Sequence, residues 1–178
     1  MLYPAPLRDL LIELAAARLF RAKWTNQIQD EWVEHLLENN PSIKRKDLER
    51  TKELMKAAVP DCLVSEYEDL IEAIDCPDED DRHVIAAAIK GNCSAIITAN
   101  LRDFPQSELQ KYQLEAQHPD EFINHQFGFN QAAVIVAARN CRNRLKAPPF
   151  TADEYLECLR RQGLPKTVNE LAKFSSLI

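Results

Sequence analysis

Long apolar runs are missing from this chain: no stretch of about 18 apolar residues occurs in its 178, so no membrane-spanning helix is expected. The start lacks a basic region followed by an apolar one, which argues against a secretory signal. Glycine is scarce. Gly91, Gly128 and Gly163 stand far apart, so neither G-x-G-x-x-G nor a Walker A loop can be written, and nucleotide-cradling folds of those kinds are excluded. The five cysteines (Cys62, Cys76, Cys93, Cys141, Cys158) are odd in number and never form a C-x-x-C pair. That pattern excludes a disulfide framework and a zinc site, and points to a reducing cytoplasm. An excess of positive charge is absent too, since the net charge is −6. Residues 1–117 hold 14 Lys and Arg against 22 Asp and Glu, whereas residues 118–178 hold 8 against 6. An acidic body with a mildly basic tail is not the profile of a high-affinity nucleic-acid binder. It suits a nuclease whose acidic cluster is neutralised by divalent cations or by a basic partner.

What is present is enough for one domain with a core, or one domain with a helical appendage: 46% hydrophobic and 28% charged residues. Pro6 to Phe20 has helical spacing, with Leu7, Leu10, Leu11 and Leu14 near one side. Arg21–Thr25 is short enough for a strand, and Asn26 is a candidate cap for a helix over Gln27–Glu38. A second amphipathic helix is expected over Lys44–Ala58, then a strand at Cys62–Val64 and a short helix at Tyr67–Ala73. Asp81–Lys90 is helical and Ala-rich, with Gly91 as a C-cap candidate. Ser94–Thr98 is a continuous apolar run suited to a buried parallel strand. A short helix (Ser107–Tyr112), a short strand (Leu114–Gln117) and a helix opening at His118-Pro119 follow. Alternating strands and helices imply an α/β fold, a parallel sheet with helices on both faces. Beyond about Asn130 only helices are expected: Asn130–Lys146, Thr151–Gln162 and Lys166–Leu177.

Acidic residues gather at three places where elements open: Glu31, six residues after Thr25; Asp78 to Asp81, just before Val84; and the Asn100–Asp103 loop after a buried strand. In an open parallel sheet, functional groups collect beyond the C-terminal strand ends. Carboxylates converging there would hold Mg²⁺ or Mn²⁺, hard cations that take oxygen ligands. Each position also has a plainer reading: Asp78 and its neighbours as helix-opening residues, Glu31 on a solvated face, Asn100 and Asp103 as turn residues. The histidines (His35, His83, His118, His125) lack zinc spacing and read as structural or surface residues, and Trp24 and Trp32 as core. Arg139, Arg142, Arg144 and Lys146 read as a solvated face ending a helix.

Order and spacing together resemble the PIN-domain ribonucleases, the fold of the VapC-type toxins. The pattern runs through Thr25 and Glu31; through Asp81 with Val84, Ala86 and Ala88; and through Thr98-Ala99-Asn100-Leu101-Arg102-Asp103-Phe104. Asp80-Asp81-Arg82-His83-Val84 and Gln117-His118-Pro119-Asp120-Glu121-Phe122 also fit, and Gly163–Val168 resembles the C-terminal region of one VapC subgroup. The resemblance implies a PIN-like parallel sheet flanked by helices over residues 1–128 and an all-helical extension over 129–178. It implies an Mg²⁺- or Mn²⁺-dependent endoribonuclease, the toxin of a VapBC-type pair, hydrolysing RNA phosphodiester bonds in the cytoplasm. Glu31, Asp81 and Asp103 would be catalytic and metal-binding, Asn100 a further metal ligand, and Thr25, Asp78 and Thr98 supporting residues. Expected partners are an RNA substrate and a VapB-like antitoxin, with a homodimer as one assembly the family allows. The alternative is a PIN-fold module that binds protein or RNA without catalysis. An unrelated α/β adaptor, with the acidic loops as mere caps, is a third.

Met1-Leu2-Tyr3-Pro4-Ala5-Pro6-Leu7-Arg8-Asp9 resembles the entry to the family's first helix, where a strand bearing a metal-binding Asp normally precedes it. The expectation is therefore an N-terminally truncated domain of reduced stability and activity. The natural start would lie upstream by a strand and its lead-in, about ten residues.

Overall fold

The computed structural model describes residues 5–178, which divide into two compact units. The Met1–Pro4 part of the opening motif lies outside the described residues. One unit is Ala22–His118. Its first helix, α2 (Asn26–Asn39), follows α1 (Ala5–Ala16) of the other unit in chain order and is capped by Thr25, not by Asn26. Thr25 keeps an extended backbone and its Oγ1 accepts the Ile28 amide at 3.0 Å, leaving Asn26 inside the first turn. Trp32, Val33 and Leu36 bury one face of α2, as Leu48 and Met55 do on α3 (Arg45–Ala58).

The strands expected at Arg21–Thr25 and Cys62–Val64 shrink to a single parallel bridge between Trp24 and Leu63. The Trp24 amide donates to Cys62 O at 2.8 Å and the Val64 amide to Trp24 O at 2.9 Å. Neither segment has room for more: Thr25 turns at once into a helix cap, and Asp61 takes a left-handed φ of 56° just before Cys62. The sheet proper is β1 (Ala95–Ile97) and β2 (Glu115–Gln117), parallel, with Ile96 opposite Ala116. Helices α4 (Glu68–Ile71), α5 (Arg82–Lys90) and α6 (Gln106–Leu109) complete the unit, with 3₁₀ turns at Glu79–Asp81 and Gln110–Tyr112. Ile85, Ala86, Ile96, Phe104, Leu109 and Leu114 form its core. The small residues of α5 let that helix lie close to the sheet. Gly91 has an ordinary φ of −76°, and Asn92 takes the left-handed role at the helix end. At 91 the space is tight, since a Cβ would stand 3.0 Å from Ala87 O and 3.1 Å from Val64 Cγ2, and its neighbours would have to give by a few tenths of an ångström.

The other unit joins the described residues up to Arg21 with Pro119–Ile178. It holds α1 (Ala5–Ala16), α7 (Pro119–Arg144), α8 (Ala152–Arg161) and α9 (Pro165–Ala172). Helix α1 stops short of Phe20 because Arg18 turns left-handed (φ 60°), and the Leu19 amide closes back on Leu14 O at 3.2 Å. Helix α7 runs through the expected 128/129 boundary and kinks at Asn130, whose φ of −154° and ψ of 82° are not helical. Leu10, Leu14, Ile123, Val134, Leu159 and Leu171 lie in one core. Among the described residues no helix is long and apolar enough to cross a membrane. Parallel strands with flanking helices and a helical C-terminal segment make this an α/β fold of the expected class.

Candidate metal centre

Two loops of the Ala22–His118 unit bring carboxylates together. Asp78 precedes the 3₁₀ turn and Asp81 ends it; at three residues per turn, positions three apart fall on one side. Asp103 enters from the loop after β1. One oxygen from each of Asp78, Asp81 and Asp103 lies within 4.8 Å of the others. Asp78 is exposed, whereas Asp81 and Asp103 are half-buried. The capping role foreseen for this stretch falls to Asp78, whose Oδ1 accepts the Asp80 amide at 3.0 Å. Asp81 occupies the N-cap position of α5 without a side-chain capping bond, so its carboxylate stays available.

Burial, then the charges of Asp103, Asp78 and Glu31, push the Asp81 carboxyl above its usual range. Negative charge is therefore concentrated here beyond what neighbouring donors relieve. Three hard oxygen donors and a surplus of negative charge fit a divalent cation. The Asp103 loop is tied down on several sides. The Asn100 side-chain amide donates to the Asp103 carboxylate, the Asn100 backbone amide donates to Thr98 Oγ1 at 3.1 Å, and the Cys76 thiol donates to Asp103 O at 3.2 Å. Burial pushes the Cys76 thiol up, keeping it a neutral donor.

Glu31 stands outside the trio. It lines a cleft of about 430 Å³ together with Gln27, Ile71, Asp81 and His83. Its Oε1 receives the Gln27 side-chain amide at 3.2 Å and lies 3.0 Å from His83 Nε2. Tyr67 in turn donates its hydroxyl to Gln27 Oε1 at 3.1 Å. Burial pushes the His83 imidazole down, against the pull of Glu31 and Asp80. Of the residues singled out from the sequence, Asp78, Asp81 and Asp103 converge, with Asn100 and Thr98 beside them in the Asp103 loop. Thr25 is fully buried as the α2 cap, and Glu31 lines a cleft that Asp81 also lines. His83, Gln27, Tyr67 and Cys76 were not anticipated. His83 sits inside a motif stretch, two residues after Asp81, but nothing local tells a buried histidine from a surface one.

Residues 1–102 match the family model described as PIN domain, and residues 119–173 match the one described as VapC50 C-terminal domain. The chain belongs to the PIN-domain family. It is similar to a protein of Mycobacterium tuberculosis named "Putative ribonuclease VapC50", at 36% identity over 96 residues, 54% of this chain and 56% of that protein. The chain thus spans about half the length of that curated relative. No solved structure matches it.

Proposed function

We propose that this chain is a metal-dependent endoribonuclease of the VapC type, the toxin of a toxin–antitoxin pair. The convergence of Asp78, Asp81 and Asp103 carries the reading. The matches to the PIN domain and to a protein named as a ribonuclease support it. Asp81 and Asp103 would hold Mg²⁺ or Mn²⁺, with Asp78 and Asn100 completing the set and Glu31, in the same cleft as Asp81, acting through water. When bound, such a cation would supply charge neutralisation at the phosphate oxygens and a more acidic water. The chain's own groups do the positioning. Asn100 orients Asp103, Thr98 fixes the Asn100 turn, and Thr25 secures the first turn of the helix that carries Glu31. Hydrolysis of the RNA phosphodiester leaves a 3′ hydroxyl. A VapB-like antitoxin would place a basic residue in the acidic pocket, and the pair would act in the cytoplasm, with a homodimer as a candidate assembly. Residues 1–128 would be the catalytic PIN-like domain and 129–178 its extension.

One observation favours a second reading, a non-catalytic PIN-fold binding module. The Asn100 amide already engages Asp103, a carboxylate the first reading gives to the cation. Incubating the chain with mixed RNA, with Mg²⁺ or with a chelator, separates the two. The expected outcome is cleavage only with the cation, reduced about 100-fold or more in Asp81→Asn. Cleavage that ignores the cation, or that Asp81→Asn leaves intact, would reject the metal-dependent nuclease; no cleavage by the folded protein would favour the binding module.

A further inference from the structure

We propose that the helical unit carries a surface for single-stranded RNA, on which Phe129 stacks a base and Arg18, Arg21 and Arg139 contact phosphates. The inference rests on the nuclease reading above for its ligand, RNA, and concerns the unit that does not hold the metal centre. The net charge of −6 hides a division between the two units. Residues 1–21 and 119–178 hold 11 Lys and Arg against 8 Asp and Glu, whereas residues 22–118 hold 11 against 20. Residues 122–152 contain no acid at all. Glu13, Glu121, Glu157 and Glu170 are each already paired with a cation of their own unit. Arg18, Arg21 and Arg139 are exposed and have no ion-pair partner among the described residues, so their charge is left for a ligand.

The aromatic lies among these cations. Phe129 is 83% exposed and stands just before the α7 kink, with Ala132 and Val136 exposed on the next turns. A Cβ at the neighbouring Gly128 would meet nothing within 4 Å, so the space beside the ring is open. Glu13 reaches Asn140, and the Phe20 ring meets Phe122 edge-on with centroids 4.7 Å apart, so the chain from α1 to Phe20 runs antiparallel to α7. Arg18 and Arg21 therefore flank the first half of α7, and Phe129 lies about 10 Å along that helix from Phe122. Arginines beside an open aromatic face suit a single strand, whose phosphates take the charge while a base takes the ring. A second copy fits poorly, because it would set the same acid-free face against itself. An acidic protein segment would answer the charge but not the ring.

The test measures anisotropy of a labelled, unstructured oligoribonucleotide with the full chain in a chelator. Saturable binding is expected, about tenfold weaker in Phe129→Ala and retained in Phe129→Trp. Replacing Arg18 and Arg21 together by Gln should flatten the dependence of log K on log salt by about 1.4. No binding by the folded wild type, equal affinity in Phe129→Ala, equal loss in Phe129→Trp, or an unchanged salt slope would overturn the proposal. Polyglutamate competing as well as RNA would overturn it in favour of an acidic protein, and a dimer abolished by Phe129→Ala in favour of a second copy. Because the cation is withheld, this result stands apart from the nuclease reading, which cation-dependent cleavage decides.

Discussion

Asp81 carries a carboxylate that its surroundings would rather see neutral. Burial and three neighbouring acids raise its pKa in the folded state. The folded chain therefore holds that proton more tightly than the unfolded chain does. Stability tied to Asp81 falls as pH rises from the ordinary aspartate value through the raised one, and above that window the ionised group opposes folding. Asp81→Asn is expected to melt higher than wild type at pH 7, by about 2–4 °C for each kcal/mol relieved in a chain of this size. A melting curve showing Asp81→Asn less stable would mean the site is already neutralised by protein donors. Thr25 is the opposite case, a residue whose contact stabilises. Thr25→Ala should cost about 1–2 kcal/mol in urea denaturation by removing the α2 cap, with Thr25→Ser close to wild type. At this scale the spacing of the acids was legible, because Asp78 and Asp81 share one turn and Asp103 lies in a short loop. The Glu31–His83 contact was not, since it joins residues 52 positions apart in the chain.

Helix ends show what local sequence can and cannot reveal. Thr151 and Glu154 form a reciprocal capping box at α8, a pairing written into four consecutive residues. Helix α9 has no such local device. Its opening amides, Lys166 N and Thr167 N, donate to the buried carboxylate of Asp120 at 2.9 and 2.8 Å, from 46 and 47 residues away. Asp120→Ala should destabilise the chain by about 2–3 kcal/mol, since the Thr167 amide, which is buried, and the Lys166 amide both lose their side-chain acceptor. Hydrogen exchange should show α9 losing protection first; uniform loss across α7, α8 and α9 would place the role of Asp120 elsewhere. The strands misread at Arg21–Thr25 and Cys62–Val64 belong to the same lesson. Their composition suits a strand, but Thr25 and the left-handed Asp61 leave only one rung of pairing.

Across the whole molecule, α/β alternation followed by helices was legible, since it rests on periodicity. The packing of α1 with the C-terminal helices was not. Glu13 bonds the Asn140 side chain at 2.7 Å and pairs with Arg144, contacts spanning about 130 positions that no local pattern encodes. The acidic balance of residues 1–117 acquires a location: its densest part is the Asp78–Asp81 turn opposite Asp103. A cation that binds only the folded chain should therefore raise its melting temperature in proportion to the logarithm of concentration once above Kd. The most direct measurement is calorimetric titration of Mn²⁺ into the wild-type chain and into Asp103→Asn. One saturable site in the wild type, lost or weakened at least about tenfold in Asp103→Asn, is the expected result. Equal binding by both, or none by a folded wild type, would contradict a metal centre built on Asp78, Asp81 and Asp103.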